Sequence, residues 1–86
     1  NRTMDFELTR HAQKAADERE IPLAWIERTL AAPMLTLPEP GDPAVERRFR
    51  TIPEFGGRVL RVAVNVEVAP VRVVSVFFDR TMKGKL

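Results

Sequence analysis

The sequence predicts an α+β domain in which two N-terminal helices pack on one face of an antiparallel sheet of three to four strands, with a short strand ahead of the helices. Three observations carry that expectation. Apolar residues recur at helical spacing between residues 11 and 33, β-branched residues crowd residues 58 to 80, and the proline-rich PEPGDP, residues 38 to 43, separates the two halves. A chain of 86 residues has room for a single core, so residues 1–86 read as one domain.

Phe6-Glu7-Leu8-Thr9 alternates apolar and polar side chains, which suits a short strand. Thr9 is then placed to cap a helix over His11 to Arg19, because its hydroxyl can accept from a free N–H of the first turn. Within that helix Ala12, Ala15, Ala16 and Arg19 recur at spacings of three and four, a narrow face of small side chains that can approach a sheet closely. IPLAWIERTLAAP, residues 21 to 33, predicts the second helix. Pro22 sits early, where its missing N–H costs nothing. Leu23, Ile26 and Leu30 fall on one stripe, and Pro33 ends the helix by pushing the residue before it out of the α region.

A short extended piece is expected from Met34 to Leu37, and no regular structure in PEPGDP. VERRFRTI, residues 45 to 52, suits a strand whose arginines face solvent, and PEFGG, residues 53 to 57, a turn. The strongest strand signals are RVLRVAVNVEV (58 to 68) and VRVVSVFFDR (71 to 80), joined at Ala69-Pro70 as an antiparallel hairpin. In the first, Leu60, Val62, Val64, Val66 and Val68 share a face. The second is apolar on both sides, as a central strand would be.

Composition narrows the function classes. At 44% hydrophobic and 30% charged residues the chain is an ordinary globule, and its lack of cysteine removes disulfides, thiolate metal sites and cysteine nucleophiles together. A small fold without such staples is expected in the cytoplasm. No apolar run approaches the roughly 20 residues that cross a bilayer, and NRTMDFELTR lacks the apolar segment of a signal peptide, so no membrane partner is expected. The net charge of +2 is split unevenly: residues 1–44, from Arg2 onward, hold five Lys/Arg against eight Asp/Glu, and residues 45–86 hold nine against four. A basic back half suits a face that meets polyanions, although strands also carry charge merely to keep one side solvated.

One histidine and no cysteine do not make a zinc site, Gly56-Gly57 belongs to a turn rather than a phosphate loop, and Ser75, the only serine, lies in mid-strand. No metal or other cofactor is expected. What remains is acid/base and electrostatic chemistry. His11 falls in the first turn of its helix, where the helix dipole favours the neutral imidazole that a general base requires, although a lone histidine also commonly just packs or caps. The arginines add guanidinium groups suited to phosphate oxygens and to negative charge developing in phosphoryl transfer.

FELTRHA, followed by EREIP at residues 18 to 22 and closed by the strand VVSVF, resembles the DUF4258 family over nearly the whole chain. That family is similar to the BrnT-like and RelE/ParE-like toxins, small α+β proteins of which many cleave RNA and are restrained by an antitoxin. The resemblance implies a metal-independent ribonuclease, or a degenerate relative of one, with His11 and Arg19 as catalytic residues. Its usual pattern, H-A-x-x-R-M-x-x-R-[GN]-I, meets Ala15, Ala16 and Glu20 here in place of Arg, Met and Gly or Asn. The second cation, one helical turn beyond His11, is therefore missing.

On this reading His11 is base or acid on a 2′-hydroxyl, and Arg19, Arg48, Arg58, Arg61, Arg80 and Lys83 hold the RNA and its scissile phosphate. The alternative is a module without chemistry that binds RNA, an antitoxin protein, or a second copy of itself through VRVVSVFF should that strand lie at an edge.

Overall fold

The computed structural model describes residues 5–86. Arg2, counted in the front half of the charge split, lies outside the described residues. Strand β1 (Phe6–Leu8) gives way to helix α1 (Arg10–Glu18) at Thr9, whose extended backbone ends the strand and whose Oγ1 accepts from the Ala12 N–H at 3.1 Å. The far end of α1 closes in a Schellman turn: the Ile21 N–H donates to the Ala16 carbonyl at 2.9 Å and the Glu20 N–H to Asp17 at 3.2 Å. This turn needs a left-handed residue, and Glu20 supplies it at φ 55°. Buried Ile21 and Ala16 are the apolar pair that accompanies such an end.

Helix α2 (Leu23–Ala31) buries Ile26, Thr29 and Leu30, while Leu23, expected on the same stripe, is 54% exposed. The buried stripe is turned toward Thr29, whose hydroxyl can be buried because it donates to the Trp25 carbonyl at 2.9 Å. At the carboxyl end, Arg48 Nη1 donates to the Leu30 carbonyl at 2.9 Å and Arg50 Nη1 to Ala32 at 2.7 Å. Cations from a strand thus satisfy carbonyls that a helix end leaves free. No helix among the described residues is long and apolar enough to cross a membrane.

The sheet has five strands in the order β1-β5-β4-β3-β2, adding β2 (Leu35–Glu39), β3 (Asp42–Ile52), β4 (Arg58–Asn65) and β5 (Val71–Phe78). This corrects the expected antiparallel sheet of three to four strands in two respects. β1 joins the sheet, and it pairs with β5 in parallel, Phe6 opposite Val71 and Leu8 opposite Val73, while the other pairs are antiparallel. β2 contains the extended piece expected at Met34 to Leu37 and runs on into PEPGDP, which is not irregular: Glu39 pairs with Asp42 across Pro40-Gly41, and Gly41 takes φ 81°. Pro38 is tolerated because β2 is an edge strand, and a register shift at Pro38/Glu39 leaves Pro43 outside the regular ladder.

Both helices lie on one face of this sheet, as expected. Ala12, Ala15 and Ala16 of α1 and Ile26 and Leu30 of α2 share one core with Ile52, Leu60, Val62, Val64, Val73 and Val76. Val73 and Val76 can both face inward because a register shift opposite Ala63/Val64 leaves Val74 as an extra residue in β5. β5 lies between β1 and β4 rather than at an edge. Burying the apolar side chains of this core, at roughly 1.5–3 kcal/mol for a large aliphatic one, is the main stabilising contribution.

Candidate functional site: a cationic cleft with aromatic walls

The turn after β3, Pro53–Phe55, is held by Glu54, whose carboxylate accepts from both terminal nitrogens of Arg28 on α2 at 2.9 and 2.7 Å. That bidentate bond, with help from the Glu54 backbone N–H, pulls the carboxyl down to about 2. The turn delivers Phe55 into an aromatic cluster. Its ring centroid lies 5.8 Å from Trp25 of α2 and 4.9 Å from Phe78 at the end of β5, and Trp25 meets Phe78 edge-on at 6.3 Å. Gly56 and Gly57, at φ 67° and 74°, return the chain to Arg58, whose guanidinium carbon sits 4.5 Å over the Phe55 ring.

Beside this cluster opens a cleft of about 600 Å³ lined by Arg19, Phe55, Arg58, Val59, Phe78, Asp79, Arg80 and Lys83. Four side chains expected to hold an anion, Arg19, Arg58, Arg80 and Lys83, therefore meet in one place. Three strand or helix ends bring them there: Arg19 caps α1, Arg58 opens β4, and Arg80 and Lys83 follow β5. All four are exposed, and among the described residues none of them forms an ion pair. The one carboxylate in the wall, Asp79, is already engaged. It accepts from the Thr81 hydroxyl and N–H and lies 3.5 Å from Arg61 Nη1, and these bonds, Thr81 first, hold its carboxyl below the usual range.

The remaining expected residues fall elsewhere. Arg48 lies on the helix side of the sheet, bound to the Leu30 carbonyl and to Glu46. Arg61 lies on the opposite face, stacked 4.6 Å over Phe77 and paired with Asp79 from behind. His11 is exposed in the first turn of α1, in a separate shallow depression of about 200 Å³ lined also by Lys14, Ala15, Glu18 and Arg19. Arg19 is common to this depression and the cleft.

Sequence reading missed the aromatic wall. Phe55 and Phe78 are far apart along the chain, and only the pairing of β4 with β3 and β5 brings them together, so no periodic signal marks them. The available signal was Phe55 three residues before Arg58 across a Gly-Gly turn. A family model matches residues 8–78 of the chain: DUF4258, a domain of unknown function. No curated protein and no solved structure matches it.

Proposed function

The chain belongs to the DUF4258 family, and on that premise we propose that its cleft binds RNA, as a relative of the small ribonuclease toxins the sequence resembles. The observation that carries the reading is the meeting of Arg19, Arg58, Arg80 and Lys83 without an ion-pair partner among the described residues. Cations gathered without counter-charge repel one another, and a chain of phosphates relieves that repulsion while releasing its own counterions. The test is titration of a fluorescent single-stranded RNA at several salt concentrations. With four phosphate contacts log Kd should change with log salt by a slope of about 3, at roughly 0.7 per contact. Binding that ignores salt, or no binding at all, would sink the reading.

A second reading, scission of the bound strand, draws on one observation: Arg19 lines both the cleft and the depression that holds His11. An RNA chain seated in the cleft and crossing Arg19 passes the imidazole, which takes the 2′-hydroxyl proton as that oxygen attacks the adjacent phosphorus; the bond from phosphorus to the 5′-oxygen of the next nucleotide breaks, leaving a 2′,3′-cyclic phosphate, and the departing 5′-oxygen takes a proton from water. Ala15 is a methyl group in that depression where the family pattern carries arginine. Scission is assayed in EDTA on labelled RNA, comparing the wild type with His11→Ala and Arg19→Ala. The scission reading expects cleavage by the wild type that His11→Ala removes. Equal cleavage with and without His11 excludes the imidazole as the base.

A further inference from the structure

We infer that the cleft recognises an unpaired nucleotide, whose base stacks on the platform formed by Phe55 and the Arg58 guanidinium while its phosphates lie against Arg80 and Lys83. The inference rests on the RNA reading and goes further by naming the form of RNA. Bare phosphate recognition needs only the cations, yet this cleft has Phe55 and Phe78 in its wall, and Phe55 remains 39% exposed despite its ring contacts with Trp25 and Phe78. Because Phe55 lines the cleft, a ligand seated there meets part of the ring.

Arg58 already lies over that ring at 4.5 Å. A guanidinium plane with one face on an aromatic ring offers its other face to a nucleobase, and both surfaces accept any base without reading hydrogen bonds. Bases inside a duplex present their edges and not their faces, so the platform selects single strands. A cleft of about 600 Å³ is a small site suited to one or two nucleotides rather than a helix. The Arg28–Glu54 bond keeps the platform in place by fixing the turn that carries Phe55.

The experiment compares a short uridine oligomer with an abasic phosphodiester oligomer of equal length, bound to the intact chain and followed by anisotropy and by Trp25 emission. Trp25 is the only tryptophan and lies 5.8 Å from Phe55, so its emission reports occupancy of the platform. The uridine oligomer should bind roughly 5- to 150-fold more tightly per stacked base, and it alone should change the emission. Phe55→Leu, which keeps an apolar side chain, and Arg58→Lys, which keeps the charge without the guanidinium plane, should each shrink the difference between the two oligomers. Equal affinity for the two oligomers overturns the stacking inference and leaves the phosphate reading standing. Failure of both to bind overturns the RNA reading itself.

Discussion

Arg58 and Arg61 stand in the same strand, three residues apart, and live in different surroundings. Arg61 joins the face of the sheet turned away from the helices, where it pairs with Asp79 and stacks on Phe77, beside Arg47, which binds Glu39 at 2.8 and 3.0 Å. Arg58 joins the cleft with Arg19, Arg80 and Lys83, and none of these has an ion-pair partner among the described residues. The back face uses its charges internally; those of the cleft stand without a carboxylate partner among the described residues. The count of arginines says nothing about which are engaged.

The sharpest way to break this comparison is to remove charge from each side. Arg58→Ala combined with Arg80→Ala should weaken RNA binding by roughly tenfold or more and flatten the salt slope by about 1.4, with little change in melting temperature. Arg47→Ala should lower the melting temperature and leave RNA affinity where it was. Equal effects of both on binding would erase the distinction between the two regions.

Asp79 belongs to both regions, so Asp79→Asn separates them. The side chain is 11% exposed, and its loss of charge takes from the largely buried Arg61 its ion-pair partner, at a cost of roughly 1–3 kcal/mol by denaturant unfolding. Removing the only carboxylate from the cleft wall should at the same time raise RNA affinity at low salt. A variant that is both less stable and a weaker binder would show that Asp79 serves the cleft by positioning Arg80.

Acid should act on the platform through Glu54. Its carboxyl is held at about 2, below the usual 4.5, so the Arg28 bond stabilises the fold fully above about pH 4.5 and loses that contribution as pH falls toward 2. Melting curves of wild type and Glu54→Gln should therefore differ at neutral pH and converge across that window. A gap that persists at low pH would place the origin of the difference elsewhere.

The smallest expected effect is at Glu20, beside the cleft's helix-borne cation. Glu20→Gly relieves a left-handed residue at φ 55° and should stabilise the domain by about 0.5–1 kcal/mol, measured by urea unfolding. Any loss of stability would mean that the side chain makes a contribution its backbone geometry conceals.

Much of the fold was legible because its signals are local. Thr9 caps α1, Pro33 lies beyond α2, and the two β-branched runs do pair. Strand parity could even have separated Arg58 from Arg61, since residues three apart point to opposite faces. The parts that were not legible depend on partners distant in sequence. Parallel pairing of β1 with β5 joins the two ends of the chain, and Pro38 and Pro43 hide a hairpin whose strands tolerate them at an edge and at a register shift. The candidate site divides in the same way. Its cations were found by residue type, but their convergence, the aromatic wall and the engagement of Arg48 and Arg61 elsewhere are products of the folded sheet.

The carboxyl end of α2 ties the helix to the sheet. Its terminal carbonyls are satisfied by Arg48 and Arg50 of β3, not by a glycine turn of its own. A peptide spanning only this helix lacks the side chains that satisfy those carbonyls. The helix that carries Trp25 and Arg28 to the cleft is in this sense finished by a strand, and the cleft depends on β3 residues, Arg48 and Arg50, that do not line it.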